Sequence, residues 1–224
     1  MQMKKLKIII VVFLLLLTTQ LFAQPTLPPF WDEIQNFKKQ DSITFPAKDQ
    51  ILFVGSSSFT KWNDVQQYFP GYKILNRGFG GSSLQDVLQY ADDIIFPYQP
   101  RQIVIYCGEN DLAASDSVTV QMVLKRFKKL FFLIRNRLLI VSVVFISIKP
   151  SISRQHLMPK MVAANQMIKK FLRTQSRTAF VDVYHKMLKP NGKPMDDIFL
   201  ADKLHMNARG YAIWAKVIKP SLIK

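Results

Sequence analysis

Five short and nearly unbroken apolar runs recur along the chain, and each ends at a glycine or a polar turn: Ile51–Val54, Tyr72–Asn76, Gln102–Cys107, Leu138–Ile148 and Ala179–Tyr184. Runs of this kind, rich in β-branched residues, suit strands covered on both faces of a parallel sheet. The longest has eleven residues, well short of the ~20 that a membrane-crossing helix needs. Between the runs the period lengthens. Val120, Leu124, Phe127, Phe131 and Ile134 alternate spacings of four and three, with Lys125, Arg126, Lys128, Lys129 and Arg135 between them. That pattern is a helix with an apolar seam and a basic outer face. Leu84, Val87, Leu88 and Ala91 predict a helix over 83–95, and Met161, Ala164, Ile168 and Phe171 predict another over 157–175. Asn207 stands where an N-cap would open a last helix over Ala208–Lys219. A short helix over Phe30–Lys39 precedes the first run. Strand–helix alternation of this sort implies an α/β three-layer sandwich.

The N-terminus carries a different signal. Lys4, Lys5 and Lys7 precede an apolar run of ten residues, Ile8–Leu17, and Ala23 is followed by a proline-bearing stretch. A basic start, a short apolar core and a small residue at its end read as a secretory signal peptide over residues 1–23. Cleavage after Ala23 is expected, although Leu21 is larger than the usual residue at that offset, and an uncleaved anchor over Ile8–Phe22 is the alternative. Residues 24–49 then form a linker and short helix, and residues 50–224 the folded domain.

Charge and cysteine usage narrow the partners. The net charge of +16 becomes +13 when the leader leaves with its three lysines. A surface this basic favours anionic partners such as lipid headgroups or acidic glycans. Nucleic acid is not expected, because no basic helix interleaved with stacking aromatics and no zinc-finger or RNP motif is present. Cys107 is the one cysteine of the 224 residues, so intrachain disulfides and zinc sites of four cysteines, or of two cysteines and two histidines, are excluded. No cofactor or metal is expected. Gly78-x-Gly80-Gly81 does not fit the dinucleotide fingerprint, and no Lys-Ser/Thr follows it as in a phosphate loop.

In an open parallel sheet, ligands bind beyond the carboxyl ends of the strands. The residues there are Gly55-Ser56-Ser57-Ser58-Phe59, Asn76-Arg77-Gly78-Phe79-Gly80-Gly81-Ser82 and Gly108-Glu109-Asn110-Asp111, with Asp202-Lys203-Leu204-His205 ahead of the last helix. Together they hold a candidate nucleophile, backbone donors, a side-chain amide, a base and an orienting carboxylate. Taken singly each is bland: serines after a glycine are commonly a helix cap, and Gly80-Gly81 is commonly a tight turn. Of His156, His185 and His205, only His205 has both an aspartate three residues before it and a helix just after it; His185 has Asp182 at the same offset, beside the fifth run. The segment is not the nucleophile elbow of the α/β hydrolases, because Gly55-x-Ser57-x-Phe59 lacks the second glycine.

These four clusters resemble conserved blocks I, II, III and V of the SGNH (GDSL) hydrolases, over about residues 50–220. Gly55-Ser56-Ser57-Ser58 stands where that family has Gly-Asp-Ser-Leu, so Ser57 matches the nucleophile and Ser56 replaces an aspartate that is not a triad member. Gly81 matches the block II glycine, Gly108-x-Asn110-Asp111 matches G-x-N-D, and Asp202-x-x-His205 matches block V. The stretch from Ile51 to Asp111 is similar to bacterial members related to platelet-activating-factor acetylhydrolase. The resemblance implies a flavodoxin-like sandwich with five parallel strands. It also implies ester or thioester hydrolysis by Ser57, His205 and Asp202, with an oxyanion hole from Ser57, Gly81 and Asn110. A helix starting after Ser57 would add its positive end. Acyl esters of glycans and lysophospholipid-type esters are the substrate classes in view, and Phe59, Trp62, Phe79 and Tyr106 are candidates for lining a pocket. A non-catalytic binding module on the same fold is the alternative; Ser57, Asn110, Asp202 and His205 are all present, which argues against it.

Overall fold

The computed structural model describes residues 27–224; the leader expected over residues 1–23 lies outside the described residues. The chain divides into two compact units, Met1–Trp31 and Asp32–Lys224. In the first, Pro29 and Phe30 make a turn. The second holds the sheet and every candidate site residue.

Five parallel strands form one sheet: β1 (Ile51–Gly55), β2 (Ile74–Gly78), β3 (Gln102–Tyr106), β4 (Ser142–Ile146) and β5 (Thr178–Val181), in the order β2-β1-β3-β4-β5. The order reverses between β1 and β3, which pair from Ile51 with Gln102 to Gly55 with Tyr106. A crevice opens at such a switch point, outside the carboxyl ends of the strands. The helices are α1 (Trp31–Ile43), α2 (Ser57–Thr60), α3 (Val65–Tyr68), α4 (Leu84–Gln89), α5 (Ala91–Ile94), α6 (Glu109–Ala113), α7 (Val120–Arg137), α8 (Met158–Leu172) and α9 (Ala208–Ile218). Sheet and helices together are the α/β sandwich expected of the sequence.

β1 and β3 are buried at every position, whereas the edge strands β2 and β5 are only half-buried over most of their length. On one face Phe53, Phe59, Trp62, Phe69, Tyr106 and Trp214 pack together. Several of their ring pairs meet edge-on, as quadrupoles favour.

Four elements depart from the sequence reading. The fourth apolar run is not one long strand. α7 continues to Arg137, so the chain must reverse before β4, and Leu138–Val141 make that turn with Leu139 and Ile140 75% and 76% exposed. The Arg135 guanidinium donates to the carbonyls of Leu139, Val141 and Ser176 and fixes it. The helix over 83–95 is two helices broken at Tyr90, the first opened by a capping box between Ser83 and Asp86. The α7 stripe is Val123, Phe127, Leu130, Phe131 and Ile134, with Val120 and Leu124 only half-buried. Its basic outer face is smaller than the spacing suggested, since Arg135 is spent on the turn and Arg126 pairs with buried Asp111 at 2.8 Å.

The first helix runs longer than Phe30–Lys39 and is tied to the sheet by charge. Arg77 of β2 is buried against Asp41 and donates from Nε to Tyr98 Oη at 2.8 Å, while its guanidinium stacks on Phe37 and Tyr98. Burial, together with the hydroxyl's bond to Asp41, pushes the Tyr98 phenol up to about 12.

Candidate active site

The serine at the end of β1 is presented by a glycine that the backbone requires. Gly55 has φ +139°, and a Cβ there would lie 1.8 Å from the Tyr106 carbonyl oxygen of the neighbouring strand. The chain turns at that point. Ser56 and Ser58 point into the protein, 3% and 2% exposed, and Ser57 alone of the three is half-exposed. Its Oγ lies 2.9 Å from His205 Nε2. α2 begins at Ser57 rather than after it, and it is a single turn of four residues. What it offers an oxyanion is the unpaired N–H of its first residue, not a long dipole.

His205 and its aspartate form a self-contained turn. Asp202 Oδ2 accepts from His205 Nδ1 at 2.6 Å, and Oδ1 accepts from the N–H of Leu204 and of His205, both at 2.9 Å. The three-residue offset closes because Lys203 takes a left-handed conformation, φ +56°. Its carbonyl then receives the N–H of Ile152 and of Ser153, each at 3.1 Å, so the loop after β4 is stitched to the Asp202–His205 turn. Burial works to raise the Asp202 carboxyl, but the bonds from the imidazole and the two backbone N–H groups outweigh it and hold it at about 2. Asn207 caps α9 just beyond, accepting from the N–H of Arg209 and Gly210.

Gly81 and Asn110 face each other across the switch point. A Cβ built on Gly81 would lie 3.8 Å from Asn110 Nδ2, an ordinary contact distance, so that side chain would occupy open space beside the amide rather than clash. Among the described residues, neither the Ser57 nor the Gly81 N–H donates to another backbone group. The turn that carries Gly81 is held from three sides. Ser82 Oγ donates to the Gly55 carbonyl at 3.1 Å, Gly80 N–H donates to Glu33 Oε2 at 2.7 Å, and Leu84 N–H donates to Asp111 Oδ2 at 2.9 Å. Asp111 is fully buried; desolvation raises its carboxyl, with Arg126 and the Leu84 N–H opposing. Its place in G-x-N-D is therefore to bind the glycine turn to α6.

Sequence reasoning missed a buried polar group behind Asn110. The Glu109 carboxylate accepts from Tyr106 Oη at 2.7 Å, Lys149 Nζ at 2.9 Å and Ser151 Oγ at 3.1 Å, and Arg154 Nη1 lies 3.3 Å away. Burial favours the neutral acid, but Lys149 and Arg154 prevail and keep the carboxyl below its ordinary value. Arg154 Nη1 also donates to Asn110 Oδ1 at 3.0 Å, and Asn110 Nδ2 donates to the Ser82 carbonyl at 3.1 Å. One signal could have found this group: Lys149 directly follows the mostly apolar run Leu138–Ile148, where a lysine is rarely buried without a partner, and it is 1% exposed.

One other reading is corrected. Phe59, Trp62, Phe79 and Tyr106 are all 0% exposed, so they build the core and line no pocket. The second Asp-x-x-His pair, Asp182 and His185, does form a 2.7 Å bond, but at the surface after β5.

Residues 41–213 match the model of the GDSL-like lipase/acylhydrolase family, and the chain belongs to that family of ester-cleaving hydrolases. The fold agrees. A Streptococcus pneumoniae protein described as a platelet activating factor superposes with a TM-score of 0.74 at 20% identity, over 95% of this chain and 99% of its own. A GDSL-like lipase from Bacteroides thetaiotaomicron VPI-5482 gives 0.70 at 19% identity, over 84% and 96%. An acetylxylan esterase from Geobacillus stearothermophilus gives 0.59 at 14%, over 78% and 94%. At such identities the likeness speaks for the fold alone. No curated protein matches the chain.

Proposed function

We propose that this chain is an exported serine esterase that removes short acyl groups, acetyl above all, from glycans. The observation that carries the reading is the unbroken line of hydrogen bonds from Asp202 Oδ2 through the His205 imidazole to Ser57 Oγ, at 2.6 and 2.9 Å.

A serine hydroxyl is a poor nucleophile until a base takes its proton. Asp202, ionised at any working pH because its carboxyl is held at about 2, accepts the Nδ1–H of His205. That fixes the tautomer with Nε2 free to receive the Ser57 proton, and the carboxylate stabilises the imidazolium that results. Ser57 Oγ adds to the ester carbonyl carbon. The carbonyl oxygen becomes an oxyanion that accepts from the N–H of Ser57, the N–H of Gly81 and the Nδ2–H of Asn110. One such donor lowers the barrier by about 2.7–4 kcal/mol. The tetrahedral species collapses, His205 protonates the leaving alkoxide, and an acyl-serine remains. Water repeats the sequence: His205 takes a proton from it, its oxygen adds to the acyl carbon, and Ser57 leaves as the alcohol.

Two observations support a short acyl group on a glycan. Phe59, Trp62, Phe79 and Tyr106, the candidates for walling an acyl chain, are in the core, and similar folds include acetylxylan esterases. Lysophospholipid-type esters are the second reading, favoured by the strong positive charge, +16 for the whole chain and +13 once the three lysines of the leader are gone. A panel of p-nitrophenyl esters from acetyl to palmitoyl, with acetylated xylo-oligosaccharides and lysophosphatidylcholine, separates them. The glycan reading expects kcat/KM to be highest at acetyl and to fall with chain length; a maximum at palmitoyl overturns it.

Export rests on the basic and apolar pattern of residues 1–23. It expects N-terminal sequencing of protein recovered outside the cytoplasm to begin at Gln24, whereas Met1 on a membrane fraction supports an anchor. Peripheral association with anionic phospholipid rests on charge. Lys125, Lys128 and Lys129 border a shallow groove of about 620 Å³ with Leu124, Phe132 and Leu133 on the outer face of α7. Co-sedimentation with phosphatidylglycerol vesicles should be lost as salt rises past about 0.15 M. No binding at low salt leaves the charge a solubility feature.

A further inference from the structure

The Asn110 side chain is gripped at both ends, and the two grips are chemically opposite. Its Nδ2 donates to the Ser82 carbonyl, and its Oδ1 accepts from Arg154 Nη1, at 3.1 and 3.0 Å. A terminal amide rotates between two nearly equivalent orientations that exchange oxygen and nitrogen. A carbonyl can only accept and a guanidinium can only donate. Reversing the amide would therefore set oxygen against oxygen at Ser82 and N–H against N–H at Arg154, losing two bonds at once. Arg154 is itself held from behind. Glu109 lies 3.3 Å from the same nitrogen, and that carboxylate is fixed by Tyr106, Lys149 and Ser151. The loop that carries Arg154 is tied to the Asp202–His205 turn through the Lys203 carbonyl.

We propose that Arg154 is a positioning residue for ester hydrolysis: it locks the Asn110 amide with Nδ2–H toward the oxyanion and polarises that N–H for the bond it makes there. The inference rests on the reading of Asn110 as an oxyanion donor. Its effect is confined to the transition state, because the bond strengthens only as charge develops on the carbonyl oxygen. A supporting residue of this kind is worth about 10–100-fold, by analogy with residues that orient metal ligands.

The test is a double-mutant cycle on p-nitrophenyl acetate, with kcat and KM measured for wild type, Arg154→Met, Asn110→Ala and the double variant. Melting curves check that each is folded. Arg154→Met should lower kcat about 10–100-fold with KM within about twofold. In the Asn110→Ala background the same change should cost less than about twofold, because nothing is left to position. Arg154→Lys keeps a donor-only cation and should fall between wild type and Met. It also serves as the probe should the Met variant fail to fold around Glu109. The rate of labelling by a fluorophosphonate should follow the same pattern, since the phosphonyl oxygen takes the oxyanion's place. Equal losses in both backgrounds, or a loss in KM alone, overturn the role of Arg154. A wild-type kcat in Asn110→Ala is a different result: it overturns the oxyanion reading, and this inference with it.

Discussion

The chain contains the same short motif twice. Asp182 and His185 form a dyad as Asp202 and His205 do: in each the aspartate's Oδ2 accepts from the ring Nδ1, at 2.7 and 2.6 Å, and its Oδ1 accepts from the histidine's own N–H, at 3.2 and 2.9 Å. Locally the two are nearly interchangeable. They differ in what the far ring nitrogen meets. His185 is 69% exposed at the end of the edge strand β5, whereas His205 is 16% exposed and has Ser57 Oγ at 2.9 Å. An Asp-x-x-His turn is thus a product of local sequence, but a histidine held against a serine hydroxyl is a product of topology. The carboxyl end of β1 and the turn before α9 are 148 residues apart, and the sheet order brings them together.

Substitutions can break this comparison in graded ways. His205→Ala should lower kcat by about 10⁶-fold on any hydrolysed ester, since the members of a triad act as a unit, while His185→Ala should leave kcat within about twofold. Asp202→Asn keeps the shape of the turn but loses the charge and the tautomer control, and should lower kcat about 10⁴-fold. Asp182→Asn should change it less than about twofold. Gly81→Ala tests the opposite bank of the site. The protein has room for the methyl group, 3.8 Å from Asn110 Nδ2, so the melting temperature should hold within about 2 °C. In the proposed mechanism the methyl would stand where the oxyanion sits, and kcat should drop about 10²-fold. A stability loss with normal kcat would make Gly81 a packing residue.

The smallest expected effect is on acid stability. Asp202 has its carboxyl lowered from 3.8 to about 2 in the folded chain. A lowered carboxyl stabilises the fold above its unfolded value, and that contribution disappears as pH falls through the folded one. The difference in stability between wild type and Asp202→Asn should be constant above pH 3.8 and shrink between there and about 2. A half-exposed carboxylate makes this a modest effect. A difference that grows on acidification contradicts the assignment.

Much of this was legible in the chain itself, and the reason is physical. Strands buried on both faces announce themselves as apolar runs, and in a parallel sheet the residues just beyond them must gather at one edge. That is why the clusters around Ser57, Gly81, Asn110 and His205 stood out among 224 residues, and the resemblance to the SGNH blocks then picked out the individual residues within them. The Leu138–Val141 turn was not legible, because its exposed leucine and isoleucine look like strand until the length of α7 is known. Arg154 was not legible either. Nothing near it in sequence shows that its guanidinium reaches Asn110 across 44 residues. Of the three serines at 56–58, sequence alone offers the register of Gly55; the structure adds that Ser56 and Ser58 face inward.

That last distinction is where the account is most directly exposed. A fluorophosphonate reacts only with a serine whose proton a base can take, and tryptic mass spectrometry then locates the adduct. The account predicts one adduct, on Ser57, lost in Ser57→Ala and in His205→Ala, and retained in Ser56→Ala, Ser58→Ala and His185→Ala. Labelling that survives Ser57→Ala, or that Ser56→Ala alone abolishes, would contradict it.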